Sequence, residues 1–372
     1  MPASLYIGLM SGTSMDGIDA ALVSIDENED LELLKTHSHE WPTPLHQQLE
    51  ALALPGENEI DRLGEADAWA GDVLAESVIA LLNKANIPTE QIRAIGSHGQ
   101  TVRHRPHNQH PFTLQIGDAN RIAAKTGITT VADFRRRDMA VGGQGAPLAP
   151  AFHKAVLSSP DETRVIVNIG GIANLTILPK DASIPVTGFD SGPGNRLMDD
   201  WIFRTRMEPY DNNGDWAASG NPSEKLLSML ADEPYFNQAP PKSTGTEEFN
   251  LTWLEQRGDD LVKELSPEDI QATLLELTLV TITQAVTAHA PTAERLLVCG
   301  GGAHNNTLMQ RLQARLPELK TGTTAELGID PDWVEAAAFA WLAHRTVNGL
   351  NGNLTEVTGA SKSVPLGCIY PV

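Results

Sequence analysis

Hydrophobic positions along the chain fall into short runs and long periodic stretches that alternate. Leu5–Leu9 is an apolar run of strand length, and Ile18–Ile25 is a second one after a glycine-rich break. Two apolar runs joined by a short polar break read as strand–turn–strand. From Glu59 to Asn86, residues Ile60, Leu63, Ala66, Ala70, Leu74, Val78 and Leu81 recur at steps of three and four, which predicts a helix that Ile87-Pro88 ends. Ile92–Ser97 predicts a strand, Asp118–Thr126 a short helix and Thr129–Ala132 a short strand.

Met139–Pro150 is rich in Gly and Pro, so a domain boundary is expected near it. Beyond it the same grammar returns. Arg164–Ile169 and Ala173–Leu178 are strands around the turn Gly170-Gly171. Pro267–Ala290 predicts a long helix, and Arg295–Cys299 a buried strand. Gly300-Gly301-Gly302 follows, then helices over Asn305–Leu316 and Asp332–Thr346. Strands alternating with long helices predict an α/β protein with largely parallel sheets. Each half opening with strand–glycine turn–strand suggests two lobes built on one unit, and 372 residues fit two domains at roughly 150 residues each.

Apolar residues make up 41% of the chain, enough for globular cores. The net charge of −21 disfavours nucleic acid as a partner. It also means that any ATP site must draw phosphate affinity from local devices: backbone N–H groups, Mg²⁺ and a few arginines. The two cysteines, Cys299 and Cys368, make no disulfide framework, which points to a reducing compartment. Met1-Pro2-Ala3-Ser4 lacks the basic start and apolar stretch of a secretory signal. The longest apolar run, Ala336–Ala343, is far short of the ~20 residues of a membrane span. A cytoplasmic protein without a membrane partner is expected.

The P-loop, dinucleotide, protein-kinase and zinc signatures are absent from the sequence. Ser11-Gly12-Thr13-Ser14-Met15-Asp16-Gly17 offers another way to hold phosphate. Gly12 and Gly17 permit close approach and positive φ. Successive N–H groups make an anion nest, and Asp16 and Asp19 suit the water shell of Mg²⁺. An ordinary hairpin turn has the same composition. Gly170-Gly171 with Asn174 forms a second such turn. Gly300-Gly301-Gly302 leaves space for adenine or ribose, or simply makes a strand-to-helix turn. The three turns together favour a nucleotide site.

Ser11–Gly17 with Met10, Ser97-His98-Gly99-Gln100-Thr101, Ala132–Asp138, Gly142–Leu148, Asn168–Asn174 and Phe189-Asp190-Ser191-Gly192-Pro193-Gly194-Asn195 occur in this order. Together they resemble the anhydro-N-acetylmuramic acid kinase family, over essentially the whole chain. The resemblance implies an actin-like fold: two ribonuclease H-like lobes of mixed sheet with flanking helices around a central cleft. The lobes are expected at 1–138 plus roughly 350–372, and at 139–349. It further implies an ATP- and Mg²⁺-dependent, dimeric sugar kinase. That enzyme opens the 1,6-anhydro ring of 1,6-anhydro-N-acetylmuramic acid with water, phosphorylates O6 and serves recycling of bacterial cell-wall sugars.

Under that resemblance Asp190 is the general base for water and Glu335 a sugar contact that assists it. By type alone Asp190 is equally a turn or N-cap residue, and Glu335 a solvated charge beside an apolar helix face. The ATP-binding set is Gly12, Thr13, Ser14, Met15, Asp16, Gly17, Ile18, Asp19, Gly170, Gly171, Asn174, Gly300, Gly301 and Gly302. The run Arg135-Arg136-Arg137 can fork the lactyl carboxylate of the sugar, with Arg135 the first choice and Arg136 the second. Its remaining members are expected to pair with Asp133 or Asp138. His98 is expected to donate a hydrogen bond to the sugar or to serve as a structural donor. No metal ligand is assigned. Two other readings remain open at this point: a glycosidase using Asp190 and Glu335, and an actin-like ATP switch.

Overall fold

The computed structural model describes residues 3–12 and 15–372. Two compact units emerge, residues 1–156 with 333–372, and residues 157–332. The Gly/Pro stretch at 139–150 therefore lies inside the first unit, together with the helix Val334–Val347 that the lobe boundaries at 139 and 349 would assign to the second.

The first unit opens with β1 (Ser4–Met10), β2 (Ile18–Ile25) and β3 (Leu31–His39), paired antiparallel. β4 (Ile92–Ser97) then pairs parallel to β1 after the helix Glu59–Ala85 has crossed over. Gln100–Arg105 (β5) and Phe112–Ile116 (β6) make a separate hairpin, and β7 (Thr130–Ala132) extends the sheet beside β4. The order is β3-β2-β1-β4-β7, and the C-terminal strand Cys368–Tyr370 closes the edge. β1 and β2 bury nearly every residue, whereas β3 leaves many side chains exposed. That mixed exposure of an edge strand is why its pattern is weak in the sequence.

Gly8 on β1 and Gly96 on β4 are direct cross-strand partners. A β-carbon on Gly8 would collide with the backbone of Ala336 and Ala340, and one on Gly96 with the backbone of Phe339. Two adjacent glycines thus make a groove in the sheet. The helix Val334–Val347 lies in it backbone-close, which is possible only where side chains are missing.

The second unit repeats the plan. β8 (Arg164–Ile169), β9 (Ile172–Leu178) and β10 (Thr187–Pro193) pair antiparallel, and β11 (Arg295–Cys299) and β12 (Lys320–Thr323) pair parallel. The order is β10-β9-β8-β11-β12, the same arrangement as the first unit's five. The helix Pro267–His289 is long and apolar enough to cross a membrane, yet 78% of its apolar window is buried inside the unit. Leu274, Leu277 and Ile282 pack from it against Phe189 and Leu175, making it a core helix.

Candidate active site

The turn between β1 and β2 is built around Ser11, which is buried. Its Oγ lies 2.7 Å from both the Gly17 carbonyl and Gln100 Oε1, and Trp41 Nε1 donates to it at 3.1 Å. Gln100 Nε2 donates to the Gly12 carbonyl at 3.1 Å. Ser11 and Gln100 thus fix the turn to the start of β5. Positive φ in the turn falls at Met15 (60°), whose side chain is buried in the core and anchors the loop. Gly17 serves close packing, since its β-carbon would meet the His39 carbonyl. Asp16 is exposed and Ile18 is buried in β2. Asp19 is half-buried and accepts from Ser38 Oγ at 3.0 Å. Thr13 and Ser14 lie outside the described residues.

His98 follows β4 and is buried. Its Nδ1 is 2.8 Å from the Gly99 carbonyl, and Arg135 Nε donates to its Nε2 at 3.0 Å. Since Nε2 accepts, the network assigns the proton to Nδ1. Burial, with the Arg135 charge beside it, lowers the His98 pKa to about 3, so the ring is neutral. Both nitrogens are thereby engaged. Arg135 also donates to the Gly145 carbonyl at 2.9 Å, and His98 and Gly145 together set its guanidinium. Arg136 is exposed and pairs with Asp133 at 2.7 Å. Asp138 is fully buried and takes no arginine: it accepts from Gly145 N, Asn353 Nδ2 and Thr358 Oγ1. His98 and Arg136 share the wall of a cavity of about 360 Å³ with Asp67, Asp118 and Tyr370.

Glu335 is half-buried in the first turn of the helix Val334–Val347. The glycine groove of Gly8 and Gly96 fixes that helix, and with it the height of Glu335 over the sheet.

In the second unit, Asn168, Asn174 and Asp190 stand opposite one another on β8, β9 and β10. Directly paired residues project from the same face of a sheet, so the three form one polar row. Cys299 of β11 continues it. The register then shifts between Asp190 and Gly192, leaving Ser191 as a bulge. Bulges re-aim side chains at functional edges. Asp190 is thus a strand residue, neither an N-cap nor part of the Gly-Pro-Gly turn. Its carboxylate Oδ2 accepts from Thr244 N at 3.0 Å, its N–H donates to the Lys242 carbonyl at 3.2 Å, and its own carbonyl accepts from Tyr235 Oη at 2.9 Å. Lys242, Thr244 and Tyr235 escape a sequence reading, because only the fold brings 235–244 against β10. The sole hint is Lys242 amid prolines and small residues.

The carbonyls of Gly170 and Gly171 accept from the backbone N–H groups of Gly194, Asn195 and Arg196, at 2.7–3.3 Å. Gly194 must be glycine, because a β-carbon would strike the Gly170 carbonyl. The turn is therefore locked onto the start of the helix Arg196–Arg206. Gly300 (φ 74°) and Gly302 give their missing side-chain space to Asn168 and Ile169, while Gly301 is exposed.

The duplicated order of antiparallel and parallel strands, with glycine turns after β1, β8 and β11, defines a two-unit α/β protein of the ribonuclease H-like type. The model of the anhydro-N-acetylmuramic acid kinase family matches residues 4–372. An anhydro-N-acetylmuramic acid kinase of Coxiella burnetii (strain RSA 493 / Nine Mile phase I) is 52% identical over 370 residues, covering 100% of this chain and 98% of that protein. One of Shewanella pealeana (strain ATCC 700345 / ANG-SQ1) is 54% identical over 371 residues, covering all of both chains. One of Photobacterium profundum is 53% identical over 378 residues, again covering both. The chain belongs to the anhydro-N-acetylmuramic acid kinase family. It is a phosphotransferase with an alcohol acceptor, a kinase acting on anhydro-N-acetylmuramic acid.

Proposed function

We propose that this kinase couples hydrolytic opening of the 1,6-anhydro ring to phosphorylation of O6, with ATP as donor. Asp190 takes a proton from water as its oxygen bonds to the anomeric carbon. The C1–O6 bond breaks, O6 keeps the electron pair, and it attacks the γ-phosphorus as ADP leaves. N-acetylmuramic acid 6-phosphate and ADP result. The observation that carries this reading is the row Asn168–Asn174–Asp190, which sets a held carboxylate at the strand ends beside the glycine turn Gly170-Gly171. General-base assistance of this kind contributes about 10²- to 10⁴-fold.

The remaining roles follow the same reading. Arg135, fixed by His98, and Arg136 meet the lactyl carboxylate as planar forks. Glu335 contacts the sugar and assists the water. Gly12, Thr13, Ser14, Met15, Gly17 and Ile18, and separately Gly170, Gly171 and Asn174, serve the phosphates. Gly300, Gly301 and Gly302 serve the adenosine, with Gly301 the open position. Among the described residues no group of three or more His, Cys, Asp or Glu is placed to hold a metal ion. Mg²⁺ suits the site nonetheless, because it keeps several waters and takes phosphate oxygens with one or two carboxylates. Asp16 and Asp19 would hold it, and its charge would offset that of the phosphates. The setting is cytoplasmic recycling of cell-wall sugars by a homodimer, without nucleic-acid or membrane partners.

The test is ADP release with 1,6-anhydro-N-acetylmuramic acid. The wild type releases ADP only with the sugar present, and Asp190→Asn lowers kcat by about 10²-fold or more. Full turnover in Asp190→Asn overturns the role of Asp190. A wild type indifferent to the sugar overturns the function.

A further inference from the structure

The segment 235–244 contains a buried lysine with no place in the chemistry above. Lys242 Nζ donates to the carbonyls of Tyr235 at 3.1 Å and Phe236 at 3.0 Å. It also lies 4.7 Å from the centroid of the Tyr235 ring. The side chain is only 8% exposed. A lysine almost never buries its ammonium unless polar partners meet it, because desolvation of the charge is costly. Two carbonyl dipoles and two aromatic rings, Tyr235 and, at 5.9 Å, Phe189, offset that cost here.

What this buried charge faces is β10. Asp190 gives its N–H to the carbonyl of Lys242, and Thr244 gives its N–H to the Asp190 carboxylate. Tyr235, whose carbonyl holds the ammonium, gives its hydroxyl to the Asp190 carbonyl. Residues 235, 242 and 244 thus grip Asp190 at its N–H, its carbonyl and its carboxylate. β10 is the edge strand of its sheet, so the segment fills the hydrogen-bonding positions that β9 cannot reach.

We propose that Lys242 is a positioning residue for Asp190: its buried ammonium anchors the 235–244 segment that aims the carboxylate, and its charge keeps that carboxylate ionised. This rests on the reading of Asp190 as the base. The Coulomb interaction is reciprocal. Asp190 favours the charged form of Lys242 against the burial that lowers the lysine's pKa, so the lysine favours the charged form of Asp190. The other titratable groups around it are few. Tyr235 is pushed upward by burial and then by Asp190 and Glu248, and stays neutral. Glu248 accepts from Thr244 Oγ1. His289, on the helix Pro267–His289 that packs on β10, has its pKa lowered by burial and by Lys242, which favours the neutral ring. Lys242 is the cation of the set.

Lys242→Met, Lys242→Arg and Asp190→Asn are compared by kcat–pH profiles with the sugar and ATP saturating. Removing the charge moves the acid limb of Lys242→Met upward by on the order of one pH unit. KM for the sugar stays within about twofold, because an effect confined to the transition state leaves ground-state binding alone. Lys242→Arg keeps the charge and returns the limb toward the wild-type position. A merely structural lysine would lower kcat at every pH and leave the limb in place, and that result overturns the proposal. If Lys242→Met does not fold, the carboxyl ¹³C signal of Asp190 in Lys242→Arg and the wild type decides. A titration midpoint in the wild type at or above that of an unperturbed aspartate overturns it. Full turnover by Asp190→Asn would instead remove the base on which the proposal rests, a separate outcome.

Discussion

At the scale of single residues, burial decides charge. His98 is held neutral, with its pKa lowered to about 3 by burial and then by Arg135. Burial lowers His153 to about 3, and lowers His104 to about 4 with Arg135 as the next cause. In the unfolded chain each titrates near 6.5, so between that value and the folded ones the unfolded state binds more protons. Stability therefore falls as pH drops through this window and is restored above it. Calorimetry from pH 7.5 to 4.5 should show a Tm that is flat at the top and declines steadily below about 6.5. A Tm unchanged down to pH 4.5 would contradict the neutral buried histidines. His98→Gln should make the decline shallower.

At the scale of elements, glycines set how closely pieces approach. Gly8 and Gly96 open the groove for the helix Val334–Val347, and that helix carries Glu335. Gly8→Ala or Gly96→Ala forces helix and sheet apart. Overpacking of this kind costs about 1–3 kcal/mol, or a Tm loss of roughly 2–4 °C per kcal/mol for a unit of this size. If Glu335 has its proposed role, kcat falls as well, since the helix that carries it must shift. Thermal melts and turnover of the two variants check both expectations, and wild-type values for both would contradict the groove. In the second unit the bulge at Ser191 plays the matching part for Asp190. A strand pattern such as Thr187–Pro193, with two glycines and a proline, does not declare itself as a strand in the sequence.

At the scale of the whole molecule, net charge −21 rules out long-range attraction as the source of phosphate affinity, and the proposed function assigns that affinity to the turns, the arginines and Mg²⁺. Binding to the folded state alone stabilises by mass action, about 2.7 kcal/mol at a hundredfold excess over Kd. ATP with Mg²⁺ should therefore raise Tm by several degrees, and excess EDTA should remove most of the gain. An ATP-induced shift that is indifferent to EDTA would argue against Mg²⁺ at Asp16 and Asp19.

The alternation of strands and helices, the duplicated strand–turn–strand openings and the three glycine turns are all legible in the order of residues. They depend on local apolar periodicity and on backbone freedom at single positions, and both are written in consecutive residues. The third strand of each unit, the placement of Val334–Val347 in the first unit, and the grip of Lys242, Thr244 and Tyr235 on Asp190 emerge only in the folded chain. Each depends on packing against residues distant in sequence, and no local pattern records such a meeting. Glycines 300 and 302 make the same point. The sequence reads them as room for a nucleotide against the backbone, and only the fold adds that the side-chain space they leave is filled by Asn168 and Ile169.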